Sequence, residues 1–71
     1  MRLKTDLKAG ELTVYGADWC GWTKKQRAYL DEKRIPYTYV NCDSQACPGF
    51  VSSFPTLLRD GQVSRGFQEL E

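Results

Sequence analysis

The stretch "ADWCGWTKKQ", residues 17–26, decides how this chain reads. It follows "ELTVY" (11–15), whose alternation and β-branched and aromatic residues predict a short strand, broken by "GAD". From Cys20 to Lys33 there is no proline and no glycine after Gly21. Lys24, Lys25, Gln26, Arg27, Ala28, Leu30 and Glu32 favour a helix there. Trp22, Gln26, Tyr29, Leu30 and Lys33 are expected to share one face, with Tyr29 and Leu30 its apolar centre. Cys20 therefore falls where a strand gives way to a helix. At that junction the first backbone N–H groups lack intrahelical partners and the helix dipole is positive. A thiolate is stabilised there, and the sulfur becomes nucleophilic near neutral pH. Lys24, Lys25 and Arg27 add positive charge, screened where exposed. The competing reading of Cys20 is a buried structural cysteine.

Working outward, Pro36 stops the helix and "YTYVN" (37–41) alternates as a second strand. Residues 42–53, "CDSQACPGFVSS", read as a loop with room for one helical turn. "TLLR" (56–59) and "QVSR" (62–65) flank "DG" (60–61), a strong hairpin signal, and Gly66 ends the second of them. "FQELE" (67–71) opens at most a short terminal helix. The first two strands, joined by a helix, are expected to be parallel, and the last two antiparallel. Residues 11–71 form one domain. Residues 1–10 read as a tail or a short extra element, with only Leu3 and Leu7 spaced for an amphipathic turn.

Composition narrows the function. Seventy-one residues, 41% of them hydrophobic, make a single globular domain near the lower size limit for an unaided core. A net charge of +1 gives no broad field to recruit nucleic acid or membrane, and the aromatics lack the basic groove that single-stranded RNA binding needs. No apolar run approaches the roughly 18 residues of a membrane span, and the charged start has no signal-peptide core. A cytoplasmic or equivalent location is expected. The three cysteines leave at least one thiol unpaired in a monomer, and the absence of histidine excludes Cys-His nucleophilic chemistry. A zinc site is not expected either, since three cysteines without histidine leave a tetrahedral set incomplete.

"SFPT" (53–56) sits between the polar loop and the hairpin. Its proline reads either as an ordinary residue at the start of a strand or as a cis-proline beside a reactive sulfur. Together, "WCGW-KKQ", "FPT" and the element order resemble the thioredoxin/glutaredoxin superfamily over residues 11–70. The compact β-α-β-β-β order is similar to a glutaredoxin-sized α/β fold. "VNCDSQACPGFVSSFPTLLRDGQVSRGFQEL" resembles the thioredoxin-like tail of vitamin K epoxide reductase relatives, which also carry cysteines in this loop.

The resemblance implies that Cys20 is the attacking thiol and Pro55 a cis-proline, with Trp19, Trp22, Phe54 and Thr56 beside the substrate. Three positions depart from the pattern. Thr23 stands where the family's resolving cysteine would be, so the motif is Cys-Gly-Trp-Thr. Val14 stands where dithiol thioredoxins bury a carboxylate. Ala17-Asp18 replaces the cation with which glutaredoxins hold glutathione. A single-cysteine site forms a mixed disulfide and needs a second thiol for release, from glutathione, a partner or the same chain. Thr23 can donate a hydrogen bond to the sulfur but cannot attack.

Cys42 and Cys47 admit three readings: a local disulfide, as the epoxide-reductase resemblance suggests, two reduced thiols, or a role in resolving Cys20. The expected function is monothiol thiol–disulfide exchange, with glutathione or a disulfide-containing protein as partner and no required cofactor. Two alternatives stand beside it. Cys-Gly-Trp-Thr resembles the Cys-Gly-Phe-Ser of monothiol glutaredoxins, which carry a [2Fe–2S] cluster with glutathione between two subunits. A thioredoxin-like scaffold can also serve as a non-catalytic interaction module. The chain is expected to be monomeric unless a cluster bridges two copies.

Overall fold

The structure, a computed structural model, describes residues 12–70. The tail expected over residues 1–10 lies outside them. Strand β1 (Leu12–Gly16) leads through a tight turn into helix α1 (Gly21–Glu32), followed by β2 (Thr38–Asn41), β3 (Thr56–Arg59) and β4 (Gln62–Arg65). The strands form one sheet in the order β2-β1-β3-β4. β1 and β2 run parallel, and β3 is antiparallel to both β1 and β4, as the connections require. The C-terminal ends of β1, β2 and β4 and the start of β3 therefore share one end of the sheet.

The period-two pattern of β1 sends Leu12 and Val14 to the face that α1 covers. With Leu30 and Leu57 they form the buried core, against which Tyr29, Ile35, Tyr37, Tyr39 and Leu70 pack. Asp60 and Gly61 both have positive φ, 52° and 80°, which matches the twist of the β3–β4 hairpin. Helix α1 ends in a Schellman motif. Ile35 N–H reaches Leu30 O (2.9 Å) and Arg34 N–H reaches Asp31 O (3.1 Å). Arg34 takes the left-handed conformation (φ 59°) that glycine usually fills there, and Pro36 follows.

The helix is rotated relative to the face read from its sequence. Its buried residues are Thr23, Gln26 and Leu30, while Trp22 is 57% exposed. The cause lies at Gly16. A Cβ there would sit 2.5 Å from both Cγ2 and Oγ1 of Thr23, so the helix start approaches β1 through a glycine. A threonine fits that space and an indole does not.

No helix forms over residues 67–70. Their backbone groups are taken by side chains of α1. Gln26 Nε2 donates to Gln68 O (2.8 Å), Gln68 N–H donates to Gln26 Oε1 (2.6 Å), and the Tyr29 hydroxyl donates to Leu70 O. Phe67 packs edge-on against Tyr29 at 5.6 Å. Gln26 is thus buried because it mimics a neighbouring strand for the C-terminal segment.

Candidate functional site

Cys20 is the N-cap residue of α1, with φ −81° and ψ 123°. Its own N–H donates to Ala17 O (3.0 Å), closing the turn that delivers it, and its carbonyl accepts the Lys24 N–H (3.1 Å). An N-cap side chain faces the free N–H groups of the second and third helical residues. Here that side chain is a sulfur, and no acidic residue occupies the first turn to compete with it. The Cys20 thiol is held below its ordinary value of 9.0, first by the Thr23 N–H; burial opposes this, and the Thr23 hydroxyl and Trp22 N–H each add a smaller lowering. The sulfur is partly exposed, and Cys20 is the free cysteine of the chain.

The three cations do not carry this effect. Lys25 lies over the rings of Trp22 (5.0 Å) and Phe67 (5.4 Å). Arg27 stacks over Tyr39 at 3.9 Å, donates to Tyr37 Oη at 3.3 Å, and faces Asp18 at 4.0 Å. The work falls instead to backbone dipoles and to Thr23. That residue is fully buried, and its Oγ1 accepts the Ala17 N–H at 3.4 Å, which leaves its proton for the sulfur.

Around the sulfur, the structure brings together residues far apart in sequence. Trp19 packs edge-on against Phe54 with ring centroids 6.0 Å apart, so the residue before Cys20 touches the residue before Pro55. The Phe54–Pro55 peptide is cis. The Pro55 carbonyl accepts the Gly66 N–H at 2.8 Å, which ties this segment to the end of β4. Pro55 and Thr56 are buried, and the Thr56 hydroxyl donates to Ser53 O (2.6 Å). Of the residues expected beside a substrate, Trp19 (66% exposed), Trp22 and Phe54 therefore present side-chain surface.

A second layer was not legible in the sequence. The Trp19 indole N–H donates to Asp43 Oδ2 (2.5 Å), and the Tyr39 hydroxyl donates to Asp18 Oδ1 (2.8 Å). Burial, together with that bond to Asp18, pushes the Tyr39 hydroxyl up to about 12, so it remains a proton donor at neutral pH. These bonds fix Asp18 and Trp19, the two residues of the turn that precede Cys20. Only their polar residue types hinted at them.

Cys42 and Cys47 are bonded to each other. The buried polar residues among those described are Thr23, Gln26 and Thr56, none of them ionisable, and Val14 is fully buried in β1. No three His, Cys, Asp or Glu side chains converge as a metal site among the described residues.

With this geometry in hand, two solved structures overlay the chain. A glutaredoxin from Methanosarcina mazei Go1 matches with a TM-score of 0.72 and 25% identity, covering 84% of this chain and 71% of that one. A glutaredoxin (grx-1) from Archaeoglobus fulgidus matches with a TM-score of 0.70 and 15% identity, covering 97% and 88%. The fold is that of the thioredoxin/glutaredoxin-like superfamily. No protein-family model matches the sequence, and no curated protein matches it significantly. In this thioredoxin-like fold the turn after β1, the loop after β2 and the start of β3 meet at one end of the sheet, where Cys20, the disulfide and Pro55 lie.

Proposed function

We propose that this protein is a thiol–disulfide oxidoreductase that works through one attacking sulfur, Cys20. The observation that carries the reading is the sulfur at the N-cap of α1, partly exposed and held below its ordinary pKa by two backbone N–H groups and Thr23. The glutaredoxin neighbours support the same class of chemistry.

The Cys20 thiolate attacks one sulfur of a substrate disulfide R–S–S–R′. A Cys20–S–S–R bond forms, and R′–S⁻ leaves and takes a proton from water. The second step needs a thiolate that attacks the R sulfur and expels Cys20 in its free form, or one that attacks the Cys20 sulfur, releases R–SH and is itself displaced from Cys20 by a further thiolate. Thr23 cannot supply it, so the second thiol comes from outside the Cys-Gly-Trp-Thr motif. Trp19, Trp22 and Phe54 offer an apolar surface for the substrate chain, with Asp43 and Tyr39 holding the turn beneath it. Glutathione and a disulfide-bearing polypeptide are the two substrate classes.

The test is the rate of alkylation of Cys20 by iodoacetamide against pH, followed by mass spectrometry after exposure to glutathione disulfide. With the Cys42–Cys47 bond left intact, a half-rise below 9.0 and a single glutathione adduct on Cys20, lost in Cys20→Ser, are expected. A profile centred at or above 9.0 with no adduct would refute the assignment.

A further inference from the structure

We infer that Cys42 and Cys47 are the resolving pair of this protein, a second redox centre that clears Cys20 of its mixed disulfide. The inference rests on Cys20 as the attacking thiol.

Three observations lead to it. First, the disulfide loop is attached at two points, to the last residue of β1 and to the turn that carries Cys20. Cys42 N–H donates to Gly16 O at 2.8 Å, and Asp43 accepts the Trp19 indole N–H. Gly16 is also the glycine against which Thr23 packs, so the disulfide, the attacking sulfur and its hydrogen-bond donor share one junction. Second, the loop is not sealed. Cys42 and Cys47 are half-exposed, and Asp43, Ser44, Gln45 and Ala46 between them are exposed. The bond therefore lies outside the core of Leu12, Val14, Leu30 and Leu57, within reach of another thiol.

Third, the two halves of the loop are held unequally. Asn41 organises the first half, with its carbonyl accepting the N–H groups of Ser44 and Gln45 and its side chain accepting the Asp43 N–H. Ala46 and Cys47 make no hydrogen bond among the described residues, so the disulfide is what fixes Cys47. Once reduced, Cys42 stays anchored at the end of β2 while Cys47 is free to swing.

The sequence of bonds follows from that asymmetry. With the loop reduced, Cys20 forms Cys20–S–S–R and releases R′–SH. The Cys47 thiolate attacks the Cys20 sulfur, forming Cys20–S–S–Cys47 and releasing R–SH. The Cys42 thiolate then attacks the Cys47 sulfur, closing Cys42–Cys47 and freeing Cys20. The net change is one substrate disulfide reduced to two thiols and one loop dithiol oxidised. The bonded loop of this structure is the product state. An external dithiol or thiol pair must reduce it before the next turnover.

The full chain, reduced and freed of reductant without air, is mixed with one equivalent of glutathione disulfide. It is then quenched in acid with N-ethylmaleimide at intervals and mapped by peptide mass spectrometry. Wild type should end with Cys42 bonded to Cys47 and Cys20 alkylated. A tethered thiol acts at an effective concentration on the order of millimolar, so wild type should clear its Cys20–glutathione adduct about tenfold or more faster than Cys47→Ser. Cys42→Ser should accumulate a Cys20–Cys47 bond in the monomer, at a yield independent of protein concentration. Cys20→Ser should oxidise its loop pair far more slowly than wild type. The wild-type time course needs no substitution to be read. An adduct that persists as long in wild type as in Cys47→Ser overturns the resolving role alone, as does loop oxidation in Cys20→Ser at the wild-type rate. If Cys47→Ser acquires no Cys20 adduct at all, the assignment of Cys20 fails, and this one with it.

Discussion

Gln26→Glu is the substitution whose outcome tests the packing account most severely, because it changes one heavy atom. In the native chain, Gln26 is fully buried and uses both ends of its amide on the backbone of Gln68, at 2.8 and 2.6 Å. A glutamate keeps the acceptor but puts a carboxylate oxygen against the Gln68 carbonyl, where an N–H stood. One hydrogen bond, a net contribution of about 1 kcal/mol, becomes a repulsion. Stripping the carboxylate of water costs several kcal/mol, of which the charge-assisted bond from Gln68 N–H returns roughly 1.5–3.

The net loss at neutral pH is on the order of 3 kcal/mol, a large part of the stability of a domain this size. At about 4–8 °C per kcal/mol, the melting temperature should fall by roughly 12–24 °C. Protonation repairs the site, because a neutral carboxyl donates to the Gln68 carbonyl and accepts from its N–H as the amide does. Burial raises the folded-state pKa of this carboxyl. The deficit is therefore complete above that raised value, shrinks as pH falls through it, and vanishes below the unfolded value of about 4.3. Urea unfolding of both proteins between pH 4 and pH 8 reads this directly. Equal stability at pH 7, or a deficit that does not change with pH, would show that the Gln26–Gln68 pairing does not hold the C-terminal segment.

Three further substitutions probe other joints. Thr23→Val removes the hydroxyl but keeps the larger contribution of the backbone N–H, so the alkylation profile of Cys20 should move toward 9.0 without reaching it. The lowered thiol pKa also favours the fold at high pH. That increment is present above the ordinary thiol value and is lost as pH falls through the depressed one, and in Thr23→Val its window should narrow. An unmoved profile would remove the hydroxyl from the site. Gly16→Ala places a methyl 2.5 Å from Thr23 and should cost about 1–3 kcal/mol in urea unfolding. Most of that loss should disappear when Thr23 is already alanine, and additive losses would argue against the contact. Arg34→Gly relieves a left-handed arginine at the Schellman position and should stabilise the chain by about 0.5–1 kcal/mol, seen as a melting temperature higher by about 4 °C. No gain would mean that Arg34 contributes contacts that offset its backbone cost.

The elements governed by local rules were readable in the chain. Alternation in "LTVY", uninterrupted helix formers after Gly21, Pro36 as a stop and Asp60-Gly61 as a hairpin turn each act within a few residues, and each stands where its chemistry places it. The helix N-terminus under Cys20 follows from the same local reasoning. What escaped depends on partners distant in sequence. The inner face of α1 is set by the absence of a side chain at Gly16, which lets Thr23 in and turns Trp22 out. Gln26 has no local account because its partner is a main chain 42 residues away. Arg27 belongs to Asp18, Tyr37 and Tyr39 rather than to the sulfur, and that choice is made by the parallel pairing of β1 with β2. The exposed aromatic surface at Trp19 was visible as a residue type. Its support by Asp43 was not, since nothing in "CDSQAC" distinguishes that carboxylate from a solvated one.

The cavity bordered by Leu12, Asp60 and Leu70 bears on how the molecule can be held. Leu12 begins β1, and the turn carrying Cys20 lies beyond the strand's far end, four residues or about 13 Å away along the sheet. The chain as described thus enters and exits at the rim remote from the reactive sulfur. A resin, an electrode or a second polypeptide joined on either side would leave that sulfur pointing outward, its approach unobstructed by the anchor.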